Sequence, residues 1–139
     1  MLRGLFIGVD CYAAPITRLS CARADAAALS SLFEDTLRGD VKMLLDDEAT
    51  RAAIVGHLQA LQAAEPDDFV VISFAGHGTP DHRLVPIDVD PFDIAGSCVS
   101  LDELATFLDA IPARRMLVFL DCCFSGGFGG VRVFAPIAH

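Results

Sequence analysis

The chain has one lysine against nine arginines and nineteen acidic residues, for a net charge of −9. That balance argues against nucleic acid as a partner, because phosphate backbones call for basic patches. Long hydrophobic runs are also absent. The strongest, Phe69–Ile72 and Met116–Leu120, fall far short of the ~20 residues of a membrane helix. Met1–Val9 is too short for a signal-peptide core and meets Asp10 at once. The five cysteines form an odd set with no secretory signal, no Cys-x-x-Cys pair and no His-x₃₋₅-His spacing. Neither a disulfide framework nor a structural zinc site is expected; free thiols in a reducing cytoplasm are. No repeat or low-complexity tract appears, and 139 residues suit one domain. Against these absences stands a mean hydropathy of +0.49, high for a small soluble domain. It raises the question of what the chain packs against.

The apolar residues that are present fall in alternating blocks. Leu2–Val9, Val41–Leu45, Phe69–Phe74 and Met116–Leu120 are short, nearly continuous apolar runs, each the pattern of a buried strand. Between them, helical spacing predicts helices over Cys21–Leu37, stopped at Gly39, and over Arg51–Ala64, stopped by Pro66. A third helix is predicted from Leu101 to about Asp109, opened by a Ser100–Glu103 capping box. The order β-α-β-α-β-α-β predicts an α/β fold with a mostly parallel sheet covered on both faces. In such sheets, sites form beyond the carboxyl ends of the strands. The third run ends at Gly76-His77-Gly78 and the fourth at Asp121-Cys122-Cys123. A histidine and a cysteine are thus expected on one sheet edge, where an imidazole can activate a thiolate and later protonate a leaving group. Small residues there let a substrate backbone approach, and nearby backbone N–H groups can hold an oxyanion.

Phe74-Ala-Gly-His-Gly78 and Leu120-Asp-Cys-Cys-Phe-Ser-Gly126 resemble the His and Cys motifs of caspase-like cysteine peptidases, metacaspases and their bacterial relatives in particular. Leu5–Gly8, Leu19–Ala26, Leu84–Asp88 and Leu101–Leu104 match further family segments in order. The resemblance implies a three-layer α-β-α caspase-like fold and a cysteine endopeptidase. Aligned without gaps, it makes His77 the general acid/base and Cys123, not Cys122, the nucleophile. They lie 46 residues apart, near the family's separation of about 50. The N–H groups of Gly78 and Cys123 become the expected oxyanion donors. Asp25 and Asp121 become the acids of a substrate pocket, implying cleavage after Arg or Lys, since a carboxylate pair suits a guanidinium or ammonium. The sequence departs from the family at Ala75, where Ser is usual, and at Phe124, where His is usual; the Gln-Ala-Cys-Arg-Gly of true caspases is absent.

Residues 1–139 correspond to the large-subunit region of such a domain. The small-subunit strands are expected in a C-terminal part outside this chain, which would leave the fourth strand with an unpaired apolar edge. Arg132 is an expected processing site in the linker. A polypeptide substrate and a fused or associated sensor domain are the expected partners, with a stress or defence role implied by the bacterial relatives. No cofactor is expected. Asp46-Asp47-Glu48 and the Asp88, Asp90, Asp93 set offer calcium-type oxygens, but no EF-hand spacing is present. Cys122 is expected to be a buried filler. The competing reading is an inactive caspase-like module for binding or scaffolding; a flavodoxin-like domain with an accidental His–Cys pair is a third.

Overall fold

The computed structural model describes residues 1–122 in full and residues 131–134 as backbone. Its elements are β1 (Leu2–Gly8), α1 (Ala22–Thr36), β2 (Gly39–Leu45), α2 (Arg51–Ala60), β3 (Phe69–Ala75), β4 (Arg83–Leu84), α3 (Ile94–Ser97), β5 (Val99–Ser100), α4 (Leu101–Asp109), β6 (Arg115–Asp121) and β7 (Val131–Phe134). The main sheet has the order β2-β1-β3-β6-β7. Its first four strands run parallel, as the apolar runs between helices predict.

Alternation along the strands divides the core between two faces. Leu5 and Ile7 of β1, Val70, Ile72 and Phe74 of β3, and Met116, Val118 and Leu120 of β6 pack with Ile54 and Leu58 of α2 and Leu104 of α4. On the opposite face, Leu2 and Phe6 of β1 and Val71 of β3 pack with Ala26 of α1. Phe33 of α1 completes that side, its ring 6.2–6.3 Å from those of Phe6, Phe69 and Phe119. The result is three layers, α-β-α. Gly8 permits the close seating of α1. A Cβ there would lie 2.6 Å from the Ala22 carbonyl oxygen and 2.9 Å from the Ala26 Cβ.

Three details depart from the expectations. The helix at Arg51 ends at Ala60 and tightens into a 3₁₀ turn over Leu61–Ala63. The capping box at α4 is half made: the Ser100 hydroxyl accepts from the Glu103 N–H at 3.0 Å. The Glu103 carboxylate instead takes both its oxygens to Arg51 Nη2, at 2.8 and 2.6 Å, tying α4 to the start of α2. Finally, the expected bare edge on the fourth long strand is wrong. β7 pairs antiparallel with β6, from Val118↔Phe134 to Asp121↔Val131. An antiparallel neighbour needs no crossover helix, so nothing in the helical periodicity announced it.

Candidate active site

The parallel registers align the carboxyl ends of three strands. Gly8 of β1 lies beside Ala75 of β3, and Ala75 beside Asp121 of β6. The residues that follow each strand therefore emerge along one edge, and there the chemistry-bearing groups collect.

Asp10, just after β1, is nearly fully buried and anchors this edge. Its carboxylate accepts from the N–H groups of Ala22 (2.8 Å) and Arg23 (3.1 Å), the open N-terminus of α1. Cys21, the residue before that helix, makes no side-chain cap, so the cap arrives from twelve residues upstream. The Asp10 N–H in turn donates to Asp46 Oδ1 at 2.8 Å, and Leu19 N–H donates to the Asp10 carbonyl at 2.9 Å. The loop between β1 and α1 is thereby fixed against the start of the helix that carries Asp25.

His77 is held from three directions. Its Nε2 lies 2.7 Å from the Thr17 carbonyl oxygen. A carbonyl can only accept, so the neutral ring carries its proton on Nε2 and leaves Nδ1 as the basic nitrogen. The His77 backbone N–H donates to the Tyr12 hydroxyl at 3.0 Å, and that hydroxyl donates to the Val85 carbonyl at 2.7 Å. The Val85 N–H donates back to the His77 carbonyl at 3.0 Å. The Tyr12 and His77 rings stand 4.8 Å apart. Burial pushes the Tyr12 phenol well above its ordinary value, so it remains a neutral hydroxyl. Gly78 faces Leu84 across an isolated antiparallel bridge. The flanking bonds use the N–H groups of Thr79 and Val85. Gly78 is therefore the non-hydrogen-bonded member of the pair, and its own N–H turns away from the Leu84 segment.

Asp25, in the first turn of α1, meets Asp121, the last residue of β6. Burial raises the Asp121 carboxyl from its ordinary value, and a side-chain hydrogen bond and charge from Asp25 raise it further. Both line a cavity of about 340 Å³ together with Cys21, Gly76, His77 and Cys122. The same two acids also border a second, mostly apolar cleft of about 450 Å³ between α1 and the β3–β6 face. Cys122 is buried and packs with the core beneath the edge.

Of the residues singled out from the sequence, His77, Gly78, Asp25 and Asp121 come together at this edge. Cys123 lies outside the described residues. Arg132 falls within β7, opposite Leu120, and not in a linker between strands. Tyr12, Thr17 and Asp10 escaped the sequence reading. Their partners are 65, 60 and 12 residues away, and only the unusual N-cap at Cys21 hinted that a cap had to come from elsewhere. Among the described residues, no group of three His, Cys, Asp or Glu side chains is placed to hold a metal ion. Among them, too, no helix is long and apolar enough to cross a membrane.

The three-layer fold is that of a caspase domain, and comparison with known proteins agrees. The caspase domain model of the C14 peptidases matches residues 3–134, and the chain belongs to that family. It is similar in fold to the crystal structure of protein GSU0716 from Geobacter sulfurreducens, with a TM-score of 0.68 and 24% sequence identity. The match covers 88% of this chain and 50% of that one, so the chain spans about half the length of that structure. No curated protein matches.

Proposed function

We propose that this domain is the catalytic, large-subunit region of a cysteine endopeptidase that cleaves after Arg or Lys. The observation that carries the reading is the meeting of Asp25 and Asp121 in the same cavity as His77. Family membership supports the peptidase class. The paired carboxylates support a basic side chain in the pocket before the scissile bond, where Arg can pair with both.

In this reading His77 Nδ1 takes the proton of the Cys123 thiol. The thiolate attacks the substrate carbonyl carbon, and the resulting oxyanion is held by the N–H groups of Gly78 and Cys123. His77 then gives its proton to the departing amine, leaving an acyl-enzyme. A water, deprotonated by His77, hydrolyses that thioester and restores the thiol. The Thr17 carbonyl steadies the imidazolium formed in between, because it accepts a hydrogen bond from Nε2–H.

The remaining groove is expected from a C-terminal part of the same protein, and a sensor domain from a fused or associated segment. Processing at Arg132 would require β7 to leave β6 first, since a protease takes its substrate as an unpaired extended strand. The resemblance to bacterial relatives supports a cytoplasmic stress or defence role.

The test uses the full-length protein, fluorogenic peptides ending in Arg, Lys or Asp, and an Arg-directed acylating probe. Cleavage after Arg or Lys, with labelling abolished by Cys123→Ala, is the expected result. Faster cleavage after Asp would refute the pocket assignment. Labelling lost only in Cys122→Ala would move the nucleophile. No labelling at all would favour an inactive binding module.

A further inference from the structure

The second cleft contains a group that neither the fold nor the proposed chemistry uses. Ser73 lies in the middle of β3, two residues before Ala75 and on the same face of the sheet. It is only 3% exposed, yet its hydroxyl makes no hydrogen bond among the described residues. A buried hydroxyl left unpaired keeps its desolvation cost with nothing to offset it. An apolar residue would fill an ordinary core position there without that cost. Ser73 is among the residues that line the cleft bordered by Asp25 and Asp121. Ala75 ends at its Cβ and also lines both cavities, so β3 raises no barrier between the carboxylate pair and Ser73.

We infer that Ser73 is the deep end of the substrate pocket and selects arginine over lysine at the cleavage position. This rests on the cleavage specificity proposed above. Geometry supplies the selection. Asp121 is level with Ala75, while Ser73 lies opposite Phe119, one pleat further in. At about 3.3 Å per residue, the Ser73 backbone is displaced about 6.6 Å along β3 from the level of Asp121. An ammonium donates from a single nitrogen. With bonds of about 2.9 Å, it cannot touch acceptors more than about 6 Å apart. A guanidinium spreads five N–H donors over three nitrogens in a rigid fork. It can answer the carboxylates with one edge and offer a remaining N–H to the Ser73 oxygen. The hydroxyl then gains the partner it lacks in the free protein, and only an arginine substrate provides it.

The experiment is Ser73→Ala in the full-length protein, read as the ratio of kcat/KM for paired peptides differing only in Arg or Lys at the cleaved position. A hydrogen bond from a charged donor is at stake, so the Arg-to-Lys ratio should fall about tenfold or more. The ratio is independent of the fraction of active enzyme, and the thermal midpoint should not drop, because the hydroxyl removed had no partner. An unchanged ratio, or an equal loss on both peptides, would overturn the inference while leaving the proposed function intact. If the unmodified protein cleaves after neither residue, the proposed function fails first, and the role of Ser73 with it.

Discussion

The Tyr12 hydroxyl accepts a hydrogen bond from the backbone N–H of His77 at 3.0 Å and donates one to the Val85 carbonyl at 2.7 Å. One side chain from the loop after β1 thus satisfies two backbone groups of the segment after β3, the Val85 carbonyl buried and the His77 N–H partly so. Tyr12→Phe keeps the ring contact with His77 and removes both bonds. Leaving the buried Val85 carbonyl and the partly buried His77 N–H unpaired costs roughly 1–3 kcal/mol. Chemical denaturation should show a loss of that order. Turnover should fall more than KM rises, because the His77 backbone is loosened while the carboxylate pocket is untouched. Unchanged stability would mean that the pairing is dispensable.

The same hydroxyl explains Gly76. A Cβ at that position would lie 2.7 Å from Tyr12 Oη and 3.0 Å from the Phe74 ring, closer than side chains tolerate. Gly76→Ala should therefore push Tyr12 off the His77 N–H and cost about 1–3 kcal/mol, the range for overpacking. Because both substitutions strike one contact, Gly76→Ala and Tyr12→Phe should not add. The double variant should be less destabilised than the sum of the singles, by about 0.5 kcal/mol or more in a denaturation cycle. Strict additivity would show that Gly76 is fixed by Phe74 alone.

Asp10 offers a different kind of test, since it caps a helix it does not precede. Asp10→Ala strips the acceptors from the Ala22 and Arg23 N–H groups. The loss should be at or above the ~2 kcal/mol upper end for an N-cap, because the site is buried. Asp25 rides on the first turn of that helix. The same variant should raise KM for an Arg peptide with a smaller effect on kcat. A variant that is destabilised but binds Arg peptides normally would separate the cap from the pocket.

How far these features were legible in the sequence depends on their range. The four parallel strands, the three longer helices and the Ser100 cap are local patterns, and each lies within a few residues of its expected place. β4, β5 and α3 are two to four residues long, too short to carry a period. β7 is four residues long, follows a glycine-rich stretch and has no helical period before it to mark it as a strand. At the site, His77 and Asp121 were placed by the rule that parallel strands end at one edge, and the register Ala75↔Asp121 agrees with it. Asp25 was placed by resemblance alone, for nothing in a helical first turn says which strand end it will meet. Tyr12 and Thr17 were invisible because their roles exist only across 60 residues or more of chain. The high mean hydropathy is explained in part: both faces of the sheet are covered by apolar helix faces.

The pairing of Asp25 with Asp121 sets function against stability. Burial and the neighbouring Asp25 lift the Asp121 carboxyl above its unfolded value. Between the ordinary value, about 4, and the raised one, the folded chain keeps a proton that the unfolded chain has released. Stability therefore falls as pH rises through that window, and at neutral pH the ionised Asp121 is a net cost. Substrate binding runs the opposite way, since a guanidinium needs the carboxylates ionised. In the full-length enzyme, kcat/KM for an Arg peptide should accordingly drop as pH falls through the raised value. Asp121→Asn removes the cost and the charge together. It should be more stable than the parent at pH 7, with the advantage vanishing as pH falls through about 4. Its kcat/KM on Arg peptides should fall about a hundredfold, as expected when one partner of a buried charge pair is truncated. Denaturation curves at pH 7 and pH 4, set beside the kinetics, decide the matter. A variant less stable than the parent at neutral pH would show that Asp121 holds the edge together instead of straining it.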